Sequence, residues 1–168
     1  MDAPRFYGKY RGEVINPLDP LGMGRVQVSV PAVTGDDRMA WAMPCSPFAG
    51  PGVGFFAIPP MGAKVWVEFE AGDPDLPIWT GGFWDLGDAP AAPGPQQMLT
   101  RVLAGDNFRI EALDIPAAGS LTLSLTVATG EAKIEAGPDA MTLTWGMNTV
   151  RMSLDGVSIN GANLKVLP

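Results

Sequence analysis

The sequence predicts an all-β protein, and three observations carry that prediction. Glycine (21 residues) and proline (17 residues) are abundant and spread along the whole chain, which is typical of short strands joined by tight turns. Apolar and polar residues alternate over many short segments, as expected for strands that bury one face. With 46% hydrophobic and 17% charged residues, the 168-residue chain can bury a core and is not disordered.

Residues 1–85 are predicted to form a small barrel of five or six strands, because closing a sheet of such short strands removes its exposed edges. In one of these strands Val65, Val67 and Phe69 share a face, and Trp66 points away from it. The predicted strands lie in the segments GKYRGEVINP, GRVQVSVPAV, MAWAMP, GAKVWVEFEAGD and LPIWTGGFW.

Residues 86–98 are rich in proline, alanine and glycine and are predicted to be a semi-rigid linker. Residues 99–168 change in character: LTRVLAGDNFRIEALD suggests two strands around a Gly-Asp turn, and further strands with one apolar and one polar face follow. The apolar positions predicted to share a common core are Leu121, Leu123, Leu125, Val127, Ile134, Met141, Leu143, Val150, Met152, Leu154, Val157, Ile159, Leu164 and Val166.

A thin ribbon of this kind cannot enclose its own apolar face. Burying one aliphatic side chain is worth about 1.5–3 kcal/mol, so leaving the whole row in water would forfeit a few tens of kcal/mol. We therefore expect a parallel, self-associating β-shaft in which identical copies cover one another.

Several classes of function are disfavoured by what the sequence lacks. Histidine is absent, which removes the commonest general base and transition-metal ligand. The single cysteine, Cys45, excludes an internal disulfide and reads as a small core residue. A net charge of −7 disfavours nucleic acid and anionic membranes as partners. No signal peptide and no long apolar segment is evident, so synthesis in the cytoplasm is expected.

Acidic residues offer two candidate sites, and in both the structural interpretation is favoured. Asp73 and Asp75, with Glu68 and Glu70 upstream, could be read as paired carboxylates for glycosidic chemistry. A turn cap and the solvent-facing side of a strand explain them better, since Glu68 and Glu70 share a face by period two. Asp36 and Asp37, beside Gly35, could bind calcium weakly, but a hairpin tip is their commoner use. No enzyme activity, cofactor or metal is expected.

Four aromatic residues of the barrel, Trp66, Trp79, Phe83 and Trp84, are candidates for an interface. They could also form a stacking platform for bases or sugars, as in some barrels. Burial against a neighbouring subunit is favoured because the acidic charge opposes nucleic acid and because oligomerisation is needed in any case.

The order of these signals resembles a known family. GEVINPLDPLGMGRVQVSVP and WAMPCSPFAGPGVGFFAIPPMGAKVWVEFEAGDPDLPIWTGGFW resemble the N-terminal barrel of the phage-tail spike, or baseplate assembly protein V, family. Related barrels occur in the valine-glycine-repeat (VgrG) proteins of type VI secretion and in extracellular contractile injection systems. The tail, ending in SLDGVSINGANLKVLP, resembles the same family's triple-stranded β-helix.

The resemblance implies a non-enzymatic central spike of a contractile injection particle, carried in a virion or an extracellular device. Its oligonucleotide/oligosaccharide-binding (OB) barrel would dock on a baseplate hub, and a homotrimeric needle would pierce the target envelope. The linker is too short for the lysozyme domain of some relatives, and the histidine-held iron of some phage tips is not carried over. A PAAR-type tip protein would contact Leu167 and Pro168. The alternative is an OB-type module for glycan or single-stranded nucleic acid, trimerised by its tail.

Overall fold

A computed structural model describes residues 4–35, 38–91, 94–161 and 163–167. The chain divides into two compact units, Met1–Asp88 and Ala89–Pro168. The calcium candidates Asp36 and Asp37 and the tip candidate Pro168 lie outside the described residues. No helix of the described residues has the length and apolar character needed to cross a bilayer.

The first unit contains a closed barrel of five strands, and all five predicted strand segments are confirmed. Neighbouring strands pair antiparallel, except for one short parallel pair that closes the barrel at Met43–Ile78 and Pro44–Trp79. In barrel order the strands are β1 (Tyr10–Asn16), β2 (Val26–Ser29), β3 (Met39–Pro44), β7 (Pro77–Phe83) and β6 (Lys64–Phe69).

Two features of the first unit were not predicted. The second strand ends at Ser29, and a single helical turn, α1 (Pro31–Thr34), follows it because proline at the first helical position carries no backbone N–H to be left unpaired. The glycine-rich stretch contains a two-residue hairpin, β4 (Ala49–Gly50) and β5 (Val53–Gly54).

The barrel core is a compact set of small branched side chains, as the alternation of β2 and β6 predicts. Gly12 is needed on β1 because a Cβ atom there would stand 2.9 Å from Val67 Cγ2 and 3.2 Å from the Ser29 carbonyl oxygen. Phe6, Tyr10 and Trp79 pack around this core. Its buried members are Val14, Val26, Val28, Val30, Ala42, Val65, Val67 and Phe69.

A β-bulge between β6 and β7 decides where the aromatic residues point. Val65 pairs with Gly82 and Val67 pairs with Trp79, so β7 carries one extra residue opposite Trp66. In a regular strand Trp79 and Phe83 would share a face. The extra residue turns Trp79 towards the core side with Val67 and leaves Phe83 on the outside with Lys64.

The prediction that Glu68 and Glu70 share a strand face is wrong because of the conformation at Glu70. The strand β6 ends at Phe69, and Glu70 begins a 3-10 turn (Glu70–Gly72) in which Ala71 has φ = +48°. Glu68 and Glu70 therefore do not share a strand face, because the backbone leaves the extended conformation between them.

The second unit is one eight-stranded sheet in simple sequential order. Every neighbouring pair is antiparallel, and the two predicted strands around the Gly-Asp turn are confirmed. The strands within one chain are antiparallel because such short turns can join only antiparallel strands. The parallel association of identical copies stays a prediction. A 3-10 turn (Gln97–Leu99) precedes the strands β8 (Thr100–Ala104), β9 (Phe108–Leu113), β10 (Ser120–Val127), β11 (Gly130–Ala136), β12 (Ala140–Trp145), β13 (Asn148–Ser153), β14 (Gly156–Ile159) and β15 (Leu164–Val166).

Asp19 organises the loop between β1 and β2. Its carboxylate accepts backbone N–H bonds from Leu21 (3.0 Å), Met23 (2.8 Å) and Arg25 (3.2 Å). The Arg25 guanidinium also donates to it through Nη2 (2.7 Å) and Nε (3.1 Å). These donors, with Arg25 foremost, hold the pKa of the Asp19 carboxyl group well below its usual range.

We predict that Asp19→Asn lowers the urea midpoint of the barrel at pH 7. A lowered carboxyl pKa stabilises the fold fully above the unfolded-state value of about 3.9, and that stabilisation is lost as the pH falls from there through the lower folded-state value. The difference in urea midpoint between wild type and variant should therefore become smaller below about pH 3.9. Tryptophan fluorescence during urea unfolding measures both midpoints, and a difference that grows on acidification contradicts this role for Asp19.

Candidate assembly surfaces

One face of the eight-stranded sheet is apolar from its first strand to its last. Residues paired directly across antiparallel strands project on the same side of the sheet. The registers therefore align one aliphatic side chain from each strand in a continuous central row: Leu103, Ile110, Leu123, Ile134, Leu143, Val150, Ile159 and Leu164.

A second row flanks the central row on the same face. Its members are mostly apolar, and the exception is Arg101 on the first strand. In order from β8 to β15 they are Arg101, Ala112, Leu121, Ala136, Met141, Met152, Val157 and Val166. On the other side of the central row lie Phe108, Leu125, Ala132, Trp145 and Asn148.

Many side chains of this apolar face are exposed to solvent in the single chain. Leu123 is 45% exposed, Ile134 41% and Trp145 58%. On β10 and β12 the leucine, methionine and tryptophan side chains are exposed, whereas most of the intervening serine and threonine side chains are half-buried. This is the reverse of a sheet that covers its apolar side with its own chain, so the apolar face is an unpartnered surface in the second unit.

The opposite face carries hydroxyl groups and ion pairs formed along single strands. Arg109 donates to Glu111 on β9, and Lys133 lies 2.7 Å from Glu135 on β11. The hydrogen bond to Glu135 raises the pKa of the Lys133 ammonium group. Because it carries these ion pairs, further charged side chains and a series of hydroxyl groups, this face is suited to solvent.

The structure places most of the predicted core positions on the apolar face, with two differences. Leu154 lies outside the strands, in the turn after β13, and is 96% exposed, because β13 ends at Ser153. In addition, Leu103, Phe108 and Ile110 lie on this face without being among the predicted core positions, although the alternation in TRVLA and NFRIEAL indicates them.

On the outside of the barrel, Trp66 and Phe83 form a compact cluster with Arg11. The two rings lie 4.8 Å apart between centroids. The Arg11 guanidinium carbon lies 5.3 Å from the Trp66 centroid and 4.7 Å from the Phe83 centroid, within the range of cation–π attraction. Trp66 points away from the core face, as predicted, and it is half-buried because Phe83 and Arg11 cover it.

Trp79 and Trp84 do not join that cluster. Trp79 packs against the barrel core, and its indole N–H donates to the Gly24 carbonyl oxygen at 3.3 Å. Trp84, which follows β7, is 67% exposed. The four aromatic residues therefore do not form one platform, and the bulge in β7 is the reason that Trp79 is separated from Phe83.

The glycine-rich stretch forms a shallow pocket of about 740 Å³ on the first unit. Phe56 reaches Gly24, where a Cβ atom would stand 3.1 Å from its ring, and Trp79 forms part of the wall. Cys45 also lines this pocket and is exposed, so the expectation of a core cysteine is wrong. The apolar side chains Met23, Val53, Phe55 and Phe56 around it are 49–74% exposed.

Three of the four acidic residues weighed as catalytic candidates form ion pairs with basic side chains. Asp73 lies 3.4 Å from Arg5, Asp75 pairs with Arg38, and Glu68 lies 2.8 Å from Lys9. Asp73 also accepts the Asp75 N–H at 3.0 Å, as a turn-capping residue does. Within the described ranges, no group of three His, Cys, Asp or Glu residues could hold a metal ion.

A comparison with known protein families coincides with the barrel. Residues 10–84, from the first residue of β1 to the residue after β7, match the family described as the type VI secretion system/phage-baseplate injector OB domain. A segment of 92 residues is 33% identical to the actin cross-linking toxin VgrG1 of Vibrio cholerae serotype O1. That segment makes up 52% of this chain and 8% of the toxin, so the chain spans a small part of this relative.

We predict that Trp79→Phe destabilises the barrel by about 1 kcal/mol, because the Gly24 carbonyl oxygen loses its donor while most of the ring packing is kept. Trp84→Phe is the matched control and should change the free energy of unfolding by less than about 0.5 kcal/mol, since that side chain is exposed. Urea unfolding of both variants measures the difference, and equal midpoints would refute a structural role for the Trp79 N–H.

Proposed function

We propose, from an N-terminal barrel that belongs to the family of type VI secretion and phage-baseplate injector OB domains, that this chain is a structural component of the central spike of a contractile injection particle. The family's role in baseplates and spikes is structural. The ion pairs that Asp73, Asp75 and Glu68 form with basic side chains agree with such a structural role.

The apolar face of the eight-stranded sheet is the observation that carries the proposal further. Three copies whose apolar faces meet on a common axis would form a prism with a dry interior and three hydroxyl-rich outer faces. Covering a half-exposed aliphatic side chain is worth about 1 kcal/mol, and each chain contributes about a dozen of them. Eight strands spaced about 4.8 Å apart would give such a shaft a length of about 34 Å.

In the particle, the barrel would dock on the baseplate hub, and the shaft would point towards the target envelope and pierce it when the sheath contracts. A shaft that encloses its apolar faces and turns its polar faces outward would suit that task, because it would be stiff and would not adhere to its surroundings. A tip protein would meet the end of the sheet at β15, where Leu167 is 67% exposed.

Two neighbouring substitutions on β12 test the shaft. Leu143 points to the apolar face and Thr144 to the polar face, so Leu143→Lys and Thr144→Lys add the same charge on opposite sides. Wild type and Thr144→Lys should both have a mass of three times 17.7 kDa by light scattering. Leu143→Lys should abolish the trimer, because an unpaired ammonium group in a dry interior costs several kcal/mol.

A milder variant covers the case in which Leu143→Lys fails to fold. Leu143→Ala removes apolar contact without adding charge and should raise the concentration at which the assembly dissociates by at least about tenfold. A wild-type chain that is folded and monomeric at micromolar concentration would overturn the shaft, and equal behaviour of the two lysine variants would overturn the assigned interior face.

A further inference from the structure

Arg11 differs from the other basic residues of the barrel because it is not paired with a carboxylate of the described residues. The chain has 18 acidic and 11 basic residues, so a basic side chain on this surface has many possible partners. Among the described residues of the first unit, every lysine and arginine except Arg11 lies within 4.0 Å of a carboxylate. The pairs are Arg5–Asp73, Lys9–Glu68, Arg25–Asp19, Arg38–Asp75 and Lys64–Glu13.

Arg11 is instead held by two aromatic rings. It stands opposite Trp66 in the β1–β6 register, and its guanidinium lies over both Trp66 and Phe83. In the part of the chain that the structure describes, its guanidinium has no ion-pair partner, and no hydrogen bond from it is found. Its side chain therefore keeps a planar set of N–H donors that nothing in the described residues satisfies.

The carboxylates nearest along the strands are already engaged. Glu68 is bound by Lys9 at 2.8 Å on one side of the cluster, and Glu13 is bound by Lys64 at 2.7 Å on the other. Arg11, Phe83 and Asp85 line a shallow groove of about 340 Å³, and Asp85 lies beyond ion-pair distance of Arg11. The cluster is thus an aromatic and cationic centre flanked by two closed ion pairs.

We propose that Arg11, Trp66 and Phe83 form the anchor of a protein interface and that the partner supplies an aspartate or glutamate side chain to Arg11. This rests on the proposed function in that a spike subunit needs a partner for its barrel. Arginine and tryptophan are among the residue types that contribute most to binding energy at interfaces. Stacking on the two rings fixes the orientation of the guanidinium before a partner binds. The chain's charge of −7 opposes a nucleic-acid phosphate as the ligand.

The test uses the full chain and a displayed library of random peptides as the probe. Peptides are selected on wild type and then measured on Arg11→Gln, which removes the charge, on Arg11→Lys, which keeps the charge but loses the planar donor set, and on Arg5→Gln as the control. Arg5 is an exposed barrel arginine paired with Asp73, so Arg5→Gln makes the same change of net charge elsewhere.

We expect the selected peptides to carry an aspartate or glutamate and to bind Arg11→Gln and Arg11→Lys at least about tenfold more weakly than wild type and Arg5→Gln. Replacing that acidic residue by its amide should weaken binding to wild type but not further weaken binding to Arg11→Gln. Equal urea midpoints of the arginine variants and wild type show that a loss of binding is not a loss of fold.

Three results would overturn the inference: peptides without an acidic residue, equal binding to Arg11→Gln, or tighter Arg11-dependent binding of a single-stranded oligonucleotide. None of them depends on the state of association of the chain. If the wild type is monomeric and its selected peptides still require Arg11, the proposed spike is wrong and the proposed interface at Arg11 is supported. If the wild type is a trimer and no such peptides are selected, the interface is wrong and the spike is supported.

Discussion

The second unit depends on one constraint: a sheet of eight antiparallel strands has two faces, and in this chain one of them carries an aliphatic row from its first strand to its last. Water can form hydrogen bonds with the hydroxyl-bearing face, but exposing the aliphatic row that runs from Leu103 to Leu164 to water is unfavourable. Because the sheet is a simple meander, no segment of it returns to cover that row. In the proposed shaft, identical copies would cover that row by symmetry.

The barrel solves the same problem by a different route. Closing five short strands buries a valine-rich interior and removes the sheet edges, so this unit encloses its own core. Its outer surface is then free for specific contacts. The bulge opposite Trp66 places Phe83 outside, where it and Trp66 hold Arg11, and places Trp79 inside. One inserted residue thus separates the side chains that support the core from those that are available to a partner.

The local sequence pattern was enough to predict the strands and the apolar and polar faces of the sheet, because period-two alternation depends only on residues that are close together in the sequence. It failed where pairing across strands decides the outcome. Leu154 continues the alternation of β13, yet the chain turns before reaching it. Trp79 and Phe83 are spaced to share a face, yet a bulge separates them. The lack of a carboxylate partner for Arg11 among the described residues could not be predicted from the sequence, since its neighbours come from β6 and β7.

The central claim is that the apolar face of residues 99–168 is the inside of a shaft made of several copies. A cryo-electron microscopy structure of the purified full-length chain tests it most directly. We expect three sheets around one axis, with Leu123, Ile134 and Leu143 meeting on that axis and Thr122, Thr142 and Thr144 in solvent. A single folded copy whose apolar face is open to water, or is covered by its own barrel, would contradict the account.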